Sequence, residues 1–222
     1  MTGRESYYYK HFQKSRNMKT LKLTLVTTAL IASFSATQSA LAAVSGNVAL
    51  TSNYIWRGVT QNMEDPAIQG GFDYESSGFY AGAWASSVDF GGDESTELDL
   101  YGGYAFELDD IGLDLGAIAY TYHGGDNASG DFEEIYLGAS FAGFGLTYYL
   151  GLSDADDNVE LSYGYDFSGA SLSLVYGDYD SYSYYSAGIS GEIAGLGWDI
   201  TVADTDVDNS DTQVALTLSR SL

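Results

Sequence analysis

The stretch SNYIWRGVTQ, residues 52–61, carries Arg57, one of only two basic side chains after position 22. Read outward from it with a period of two, Val48, Leu50, Tyr54 and Trp56 fall on one side, and Asn47, Thr51, Asn53 and Arg57 fall on the other. That alternation is the pattern of a β-strand lying between an apolar and a polar environment. Whether the apolar side meets a protein core or a lipid bilayer turns on the rest of the chain.

Residues 1–17 have no periodic apolar pattern. Met18 opens a segment in which Lys19 and Lys22 give a positive start, Leu23 to Phe34 an apolar run, and Ala40-Leu41-Ala42 a small-x-small cleavage site. These are the parts of a secretory signal peptide cut after Ala42, with residues 1–17 an extension ahead of the true start. The run falls short of the about 20 apolar residues that a membrane-spanning helix needs. The expected mature chain, 43–222, is one domain. It keeps 2 of the 8 Lys+Arg and 30 of the 31 Asp+Glu, a formal net charge of −28. Nucleic acid is excluded as a partner, because its binding rests on neutralising phosphates with Lys and Arg. Acidic disordered chains are poor in aromatics, whereas 17 of the 20 Tyr and all 3 Trp lie in this part. The sequence has no Cys, so disulfides and thiol chemistry are excluded.

Past the signal segment one unit recurs, about ten residues of alternating polarity followed by a turn. It predicts strands over 45–57, 67–75, 79–90, 96–107, 113–123, 132–141, 145–152, 158–167, 171–177, 183–193, 198–203 and 212–222. The connections alternate in kind. Short ones made of Gly, Ser, Asp and Ala stand at 76–78, 108–112, 142–144, 168–170 and 194–197; longer, acidic ones stand at 58–66, 91–95, 124–131, 153–157, 178–182 and 204–211. That asymmetry belongs to outer-membrane barrels, with short periplasmic turns and longer outer loops. The expected fold is therefore all-β, a transmembrane antiparallel up-and-down barrel of twelve strands with both termini periplasmic.

Side-chain parity supports it. Leu98, Leu100, Tyr104 and Phe106 oppose Glu97, Asp99, Tyr101 and Glu107, and Val159, Leu161, Tyr163, Tyr165 and Phe167 oppose Asn158, Glu160, Ser162, Gly164 and Asp166. The apolar face is bulky and the polar face small, as when large side chains meet lipid and a lumen holds Gly, Ala, Ser and carboxylates. Trp56, Phe90, Phe132, Phe167 and Trp198 near strand ends are expected to form interfacial girdles. In the last strand Val214, Leu216, Leu218 and Leu222 share a register. They resemble the C-terminal signal read by the barrel assembly machinery, although Leu222 replaces its usual aromatic ending; Arg220 is expected to anchor at the headgroups.

Four strings in order, SNYIWRGVTQ (52–61), DPAIQGGFDY (65–74), GFYAGAWASSVDF (78–90) and ELDLYGGY (97–104), resemble the TorF family of porins, proteobacterial proteins long listed as of unknown function. The resemblance covers the first third of the mature chain. It implies an outer-membrane barrel and a pore, and brings no catalytic or ligand residues to transfer.

Parity places Asp73, Asp89, Glu97, Asp99, Glu107, Glu134, Glu160, Asp166, Glu192 and Asp199 on the lumen side with Arg57 as the one base. Carboxylates around a water-filled pore concentrate cations. The expected function is passive, weakly cation-selective diffusion of small solutes and ions, without a cofactor, in contact with outer-membrane lipid and lipopolysaccharide. The alternative is a non-conducting structural or adhesive barrel whose acidic loops bind ions or partners. Arg57 is expected to be held by Asp73, or by Asp89 and Glu97, and to pin the first loop inward. The abundance of inward Gly, Ala and Ser is expected to leave open space.

Enzymatic chemistry has little support. His123, the lone histidine after the signal segment, stands in Tyr122-His123-Gly124-Gly125 with no hydrolase motif around it, so an interfacial histidine is expected. Asp204, Asp206 and Asp208 copy the first three positions of a calcium loop, but Asn209 and Ala215 stand where glycine and glutamate are required. A solvated acidic loop is expected, with loose Mg²⁺ or Ca²⁺ binding as the alternative. The sequon Asn127-Ala128-Ser129 carries no inference in a bacterial context.

Overall fold

The computed structural model describes residues 42–125, 130–153 and 155–222. The expected signal segment and the Asn127 sequon lie outside the described residues. Among the described residues there are fourteen strands: β1 (Ala43–Thr51), β2 (Ile55–Trp56), β3 (Val59–Thr60), β4 (Ala67–Ser76), β5 (Phe79–Ser87), β6 (Glu94–Leu108), β7 (Ile111–Gly124), β8 (Phe132–Phe141), β9 (Phe144–Leu152), β10 (Asn158–Phe167), β11 (Ala170–Tyr179), β12 (Tyr182–Ile193), β13 (Leu196–Thr205) and β14 (Gln213–Ser221).

Twelve of them close into an antiparallel barrel, in which each strand pairs with its sequence neighbour and β1 pairs with both β4 and β14. Closure removes the edges that would otherwise expose unpaired backbone. The short connections are all two-residue hairpin turns between flanking pairs such as Ser76↔Phe79 and Phe141↔Phe144. Ala142 and Gly143 both have positive φ, 52° and 85°, the combination that a turn matched to strand twist requires. The other set of connections lies at the opposite end, and one of them departs from expectation: 178–182 is not a longer loop but a two-residue turn, Asp180-Ser181, between the paired Tyr179 and Tyr182.

The outer face is apolar. Ile68 is 66% exposed, Phe72 64%, Leu100 54%, Leu161 48% and Leu216 48%, each on the expected face of its strand. A belt of this kind is too large a contiguous apolar surface for a protein in water. Among the described residues no helix is long and apolar enough to cross a membrane, a statement that leaves β-strands aside. The buried side chains gather inside the barrel near the long-loop end: Tyr54, Trp56, Val88, Tyr120, Tyr122, Phe132, Tyr179 and Tyr184.

Strand boundaries fall within about three residues of the expected ones, except at the first strand. β1 ends at Thr51, and residues 53–62 leave the wall and fold into the lumen, while 63–66 are exposed on the way back to β4. Trp56 and Phe132 are therefore buried in the interior rather than set in a girdle, at 4% and 7% exposure. Phe90 packs on Tyr122 with ring centroids 5.6 Å apart. Phe167 is exposed on the outer face, and the Trp198 ring lies against Gly191 of the neighbouring strand. Arg220 is exposed close to the C-terminus, on the same face as Leu216 and Leu218.

Candidate functional site

The inward-folded loop is a small structure in its own right. The pairs Ile55↔Thr60 and Trp56↔Val59 make a hairpin whose two-residue turn is Arg57-Gly58. Both turn residues have positive φ, 47° and 81°, again the twist-matched turn. Holding a non-glycine residue there costs roughly 1 kcal/mol, so the side chain of Arg57 has to find compensation. Polar side chains satisfy the loop's backbone in place of a sheet. Asn62 Oδ1 accepts from Tyr54 N at 2.9 Å, and Gln61 N donates to Tyr54 O at 2.7 Å. Asn53 donates to Gln213 Oε1 on β14 at 2.8 Å and accepts from Thr60 Oγ1 at 2.7 Å.

At the tip, the Arg57 guanidinium makes a bidentate pair with Glu134 on β8, Nη1 to Oε1 at 2.8 Å and Nη2 to Oε2 at 2.9 Å. Three aromatic faces surround its central carbon, Trp56 at 4.2 Å, Tyr179 at 4.8 Å and Tyr149 at 5.0 Å. Neither charged side chain has any exposure. Burial is the largest influence and opposes the charge on Arg57, but the Glu134 carboxylate, its hydrogen bonds and the nearby Tyr120 and Tyr184 together hold the guanidinium well above its ordinary pKa.

The hairpin spans the lumen. Trp56 packs edge-on against Tyr120, Phe132 and Tyr179, on β7, β8 and β11. Tyr54 meets Trp84 on β5 at 5.4 Å, and Gly58 sits against Tyr184 of β12 and Thr205 of β13. With contacts on eight strands, β5, β7, β8, β9, β11, β12, β13 and β14, the loop is a plug that fills the long-loop end. The other end is open, with a cavity of about 470 Å³ beside Ser171, Ser190, Glu192, Asp199 and Ser219.

Of the residues expected to line the lumen, Glu97, Asp99, Glu134 and Glu160 point inward, but beneath the plug they are 1%, 6%, 0% and 2% exposed. Glu97 accepts from Tyr122 Oη at 3.4 Å, and Glu160 from Tyr184 Oη at 2.7 Å. Asp73 accepts from Tyr101 Oη nearer the open end. Asp89 departs from expectation. It lies past the end of β5, exposed, and accepts from Gly91 N at 2.8 Å. None of Asp73, Asp89 and Glu97 holds Arg57; Glu134, across the lumen, does.

The small inward residues do not all mark open space. Tyr101 lies over Gly82, Tyr80 over Gly103, Tyr136 over Gly116 and Tyr184 over Gly177, each ring against the glycine directly opposite on the neighbouring strand. Tyr80 and Tyr136 meet hydroxyl to hydroxyl at 2.5 Å, and Tyr80 also donates to Asp114 at 2.8 Å. The glycines let the rings lie flat along the wall. Sequence parity predicts both members of each pair inside; it does not predict that one covers the other.

His123 and the acidic loop residues have local hydrogen-bond partners. The hydroxyl meeting the His123 ring is that of Thr121, at 3.1 Å. Asp204 accepts from Thr212 Oγ1 at 2.6 Å and Asp206 from Ser183 N at 2.8 Å. Among the described residues no three His, Cys, Asp or Glu side chains are grouped to hold a metal ion.

The family model described as bacterial proteins of unknown function (Gcw_chp) matches residues 35–220. No curated protein matches the sequence. The solved structure of KdgM porin superposes with a TM-score of 0.58 at 9% identity, over 82% of this chain and 99% of that one. A structure from work on the in-meso crystallization of membrane proteins gives 0.53 at 12% identity, over 81% and 83%. At these identities the likeness is one of fold.

Proposed function

This chain belongs to the Gcw_chp family of bacterial proteins of unknown function, and from that premise we propose that it is an outer-membrane, porin-like channel with no enzymatic role. The closed barrel with an apolar outer belt and a polar interior supports a membrane location, since a closed ladder leaves no backbone group unsatisfied in lipid. The fold likeness to KdgM porin supports a pore, as does the resemblance of residues 52–104 to TorF-family porins. Among the described residues the start of β1 and the end of β14 lie at the short-turn end, which in this reading is periplasmic.

The observation that carries the channel reading is the interior itself. Carboxylates at Asp73, Glu97, Asp99, Glu134, Glu160 and Asp199 face inward, and Arg57 is already committed to Glu134. A lumen so lined attracts cations and repels anions, so the proposed solutes are small cations or neutral molecules. The plug sets when they pass: with the hairpin seated, the long-loop end is closed.

The plug also supports a second reading, a non-conducting structural barrel whose acidic loops bind ions or partners. Planar-bilayer recording distinguishes the two. Discrete conductance steps from the purified barrel support the channel; a silent wild-type protein, with variants lacking residues 53–65 equally silent, moves the assignment to the structural barrel.

A further inference from the structure

We propose that the wall beneath the plug is a binding site for solutes carrying a guanidinium group, with Arg57 its intramolecular occupant. The inference rests on the channel reading and adds to it a substrate class.

The components of the box belong to different parts of the chain. Glu134 is on β8, Tyr149 on β9 and Tyr179 on β11, all on the barrel wall, whereas Arg57 and Trp56 come with the loop hairpin, which is not part of that wall. When the hairpin withdraws, the wall keeps a carboxylate and two aromatic faces in the arrangement that a flat, forked cation requires. The site already shows its preference by what it holds. Both Glu134 oxygens are engaged at 2.8 and 2.9 Å by two parallel N–H groups, a match that a planar guanidinium makes and a point-like ammonium does not. The ring faces add cation–π attraction, stronger where water is excluded.

The surroundings suit a cation beyond Arg57 itself. Glu160 lies one strand past Tyr149 and accepts from Tyr184 Oη at 2.7 Å. Two strands from Glu134 on the other side, Glu97 and Asp99 of β6 also point inward and share a hydrogen bond with each other. The wall on both sides of Glu134 thus carries further acidic side chains, Glu97, Asp99 and Glu160. Tethering gives Arg57 an effective concentration of millimolar order. A free solute must compete with it, and on binding Glu134 it displaces the tip and opens the pore that it enters by. Arg57 thus makes the gate selective for solutes that resemble it.

The test uses guanidinium chloride at about millimolar concentrations, the range against which the tether competes, with sodium and ammonium chloride as controls of equal ionic strength. Arg57→Ala, Arg57→Gln and the double variant Arg57→Ala/Glu134→Gln are refolded in detergent, and their closed barrels are verified by heat-modifiable gel migration. Binding is followed by tryptophan emission, since Trp56 borders the box. Emptying the box should raise the apparent guanidinium affinity about tenfold or more over wild type, because the competent fraction is no longer occupied. The response should exceed that to ammonium or sodium and vanish in the double variant. Equal responses to the three salts, or a response that survives Glu134→Gln, overturn the site. If the single variants bind guanidinium selectively but none conducts, the channel reading fails and the site stands. Conductance without selective binding has the opposite consequence.

Discussion

Gly58 faces Tyr184 so closely that a Cβ built on it would lie 2.8 Å from the Tyr184 Cβ and 3.0 Å from the backbone oxygen of Asp204. The hairpin tip thus reaches the far wall with no room for a side chain, at a φ of 81° that also favours glycine. Plug seating depends on this contact as well as on Arg57.

Gly58→Ala should therefore unseat the plug while leaving the barrel intact. Overpacking against fixed backbone costs typically 1–3 kcal/mol, to which the left-handed φ adds roughly 1 kcal/mol. Bilayer recordings should show more frequent or larger openings than wild type, with unchanged heat-modifiable migration. An unaltered conductance would show that the tip contact does not hold the loop.

The pair of Arg57 with Glu134 should be energetically coupled. Removing either partner leaves a buried charge unanswered, at a cost of about 3–5 kcal/mol. Arg57→Ala and Glu134→Gln should each lower the denaturant midpoint of the plug, followed through Trp56 emission. The double variant should be less damaged than the sum, with a coupling of about 1–3 kcal/mol. Strict additivity would mean that the two charges act independently.

The barrel was legible in the sequence because its signal is repeated. Leu100 and Leu161 face outward and Glu97 and Glu160 inward, as parity requires, and the two-residue turns mark every return. The plug was not legible for a local reason. The alternation of Val48, Leu50, Tyr54 and Trp56 with Thr51, Asn53 and Arg57 runs past Thr51 with exceptions only at Ser52 and Ile55, too weak a break to show that the chain leaves the wall there. The available cue was Arg57-Gly58 between Ile55-Trp56 and Val59-Thr60, a two-residue turn flanked by β-formers, with arginine where asparagine or aspartate is usual. Glu134 as partner could not be read at all. It stands 77 positions away, and its place opposite the tip follows from barrel closure and the inward fold together.

Cation selectivity should follow from the lumen carboxylates. In a salt gradient the reversal potential should favour K⁺ over Cl⁻, and the preference should shrink toward 1 M salt, where the screening length falls to about 3 Å. Arg57→Ala should strengthen the cation preference, because it removes the positive charge that the plug brings into the lumen. An anion preference in the wild type would contradict the assignment of the acidic interior to the conduction path.

Location is tested separately from conduction. The protein expressed in a Gram-negative host should fractionate with outer membranes and migrate differently on gels before and after boiling, since a closed hydrogen-bond ladder resists detergent. Recovery as a soluble periplasmic protein would rule out the lipid-facing role of the outer belt.

The tyrosine–glycine pairs should set the width of the lower lumen. A Cβ on Gly116 would lie 2.4 Å from the Tyr136 ring and 2.7 Å from Tyr80 Oη, with no room for either to remain flat. Gly116→Ala should lift both rings toward the axis and break the Tyr80–Tyr136 contact, lowering the conductance of an unplugged barrel such as Arg57→Ala. Tyr136→Ala in the same background should act in the opposite sense, because it clears the wall and leaves Asp114 facing water. If both substitutions lower conductance equally, the rings serve the packing of β5 to β8 alone. A fall with Gly116→Ala and a rise with Tyr136→Ala would identify the flat tyrosines as the lining of the path.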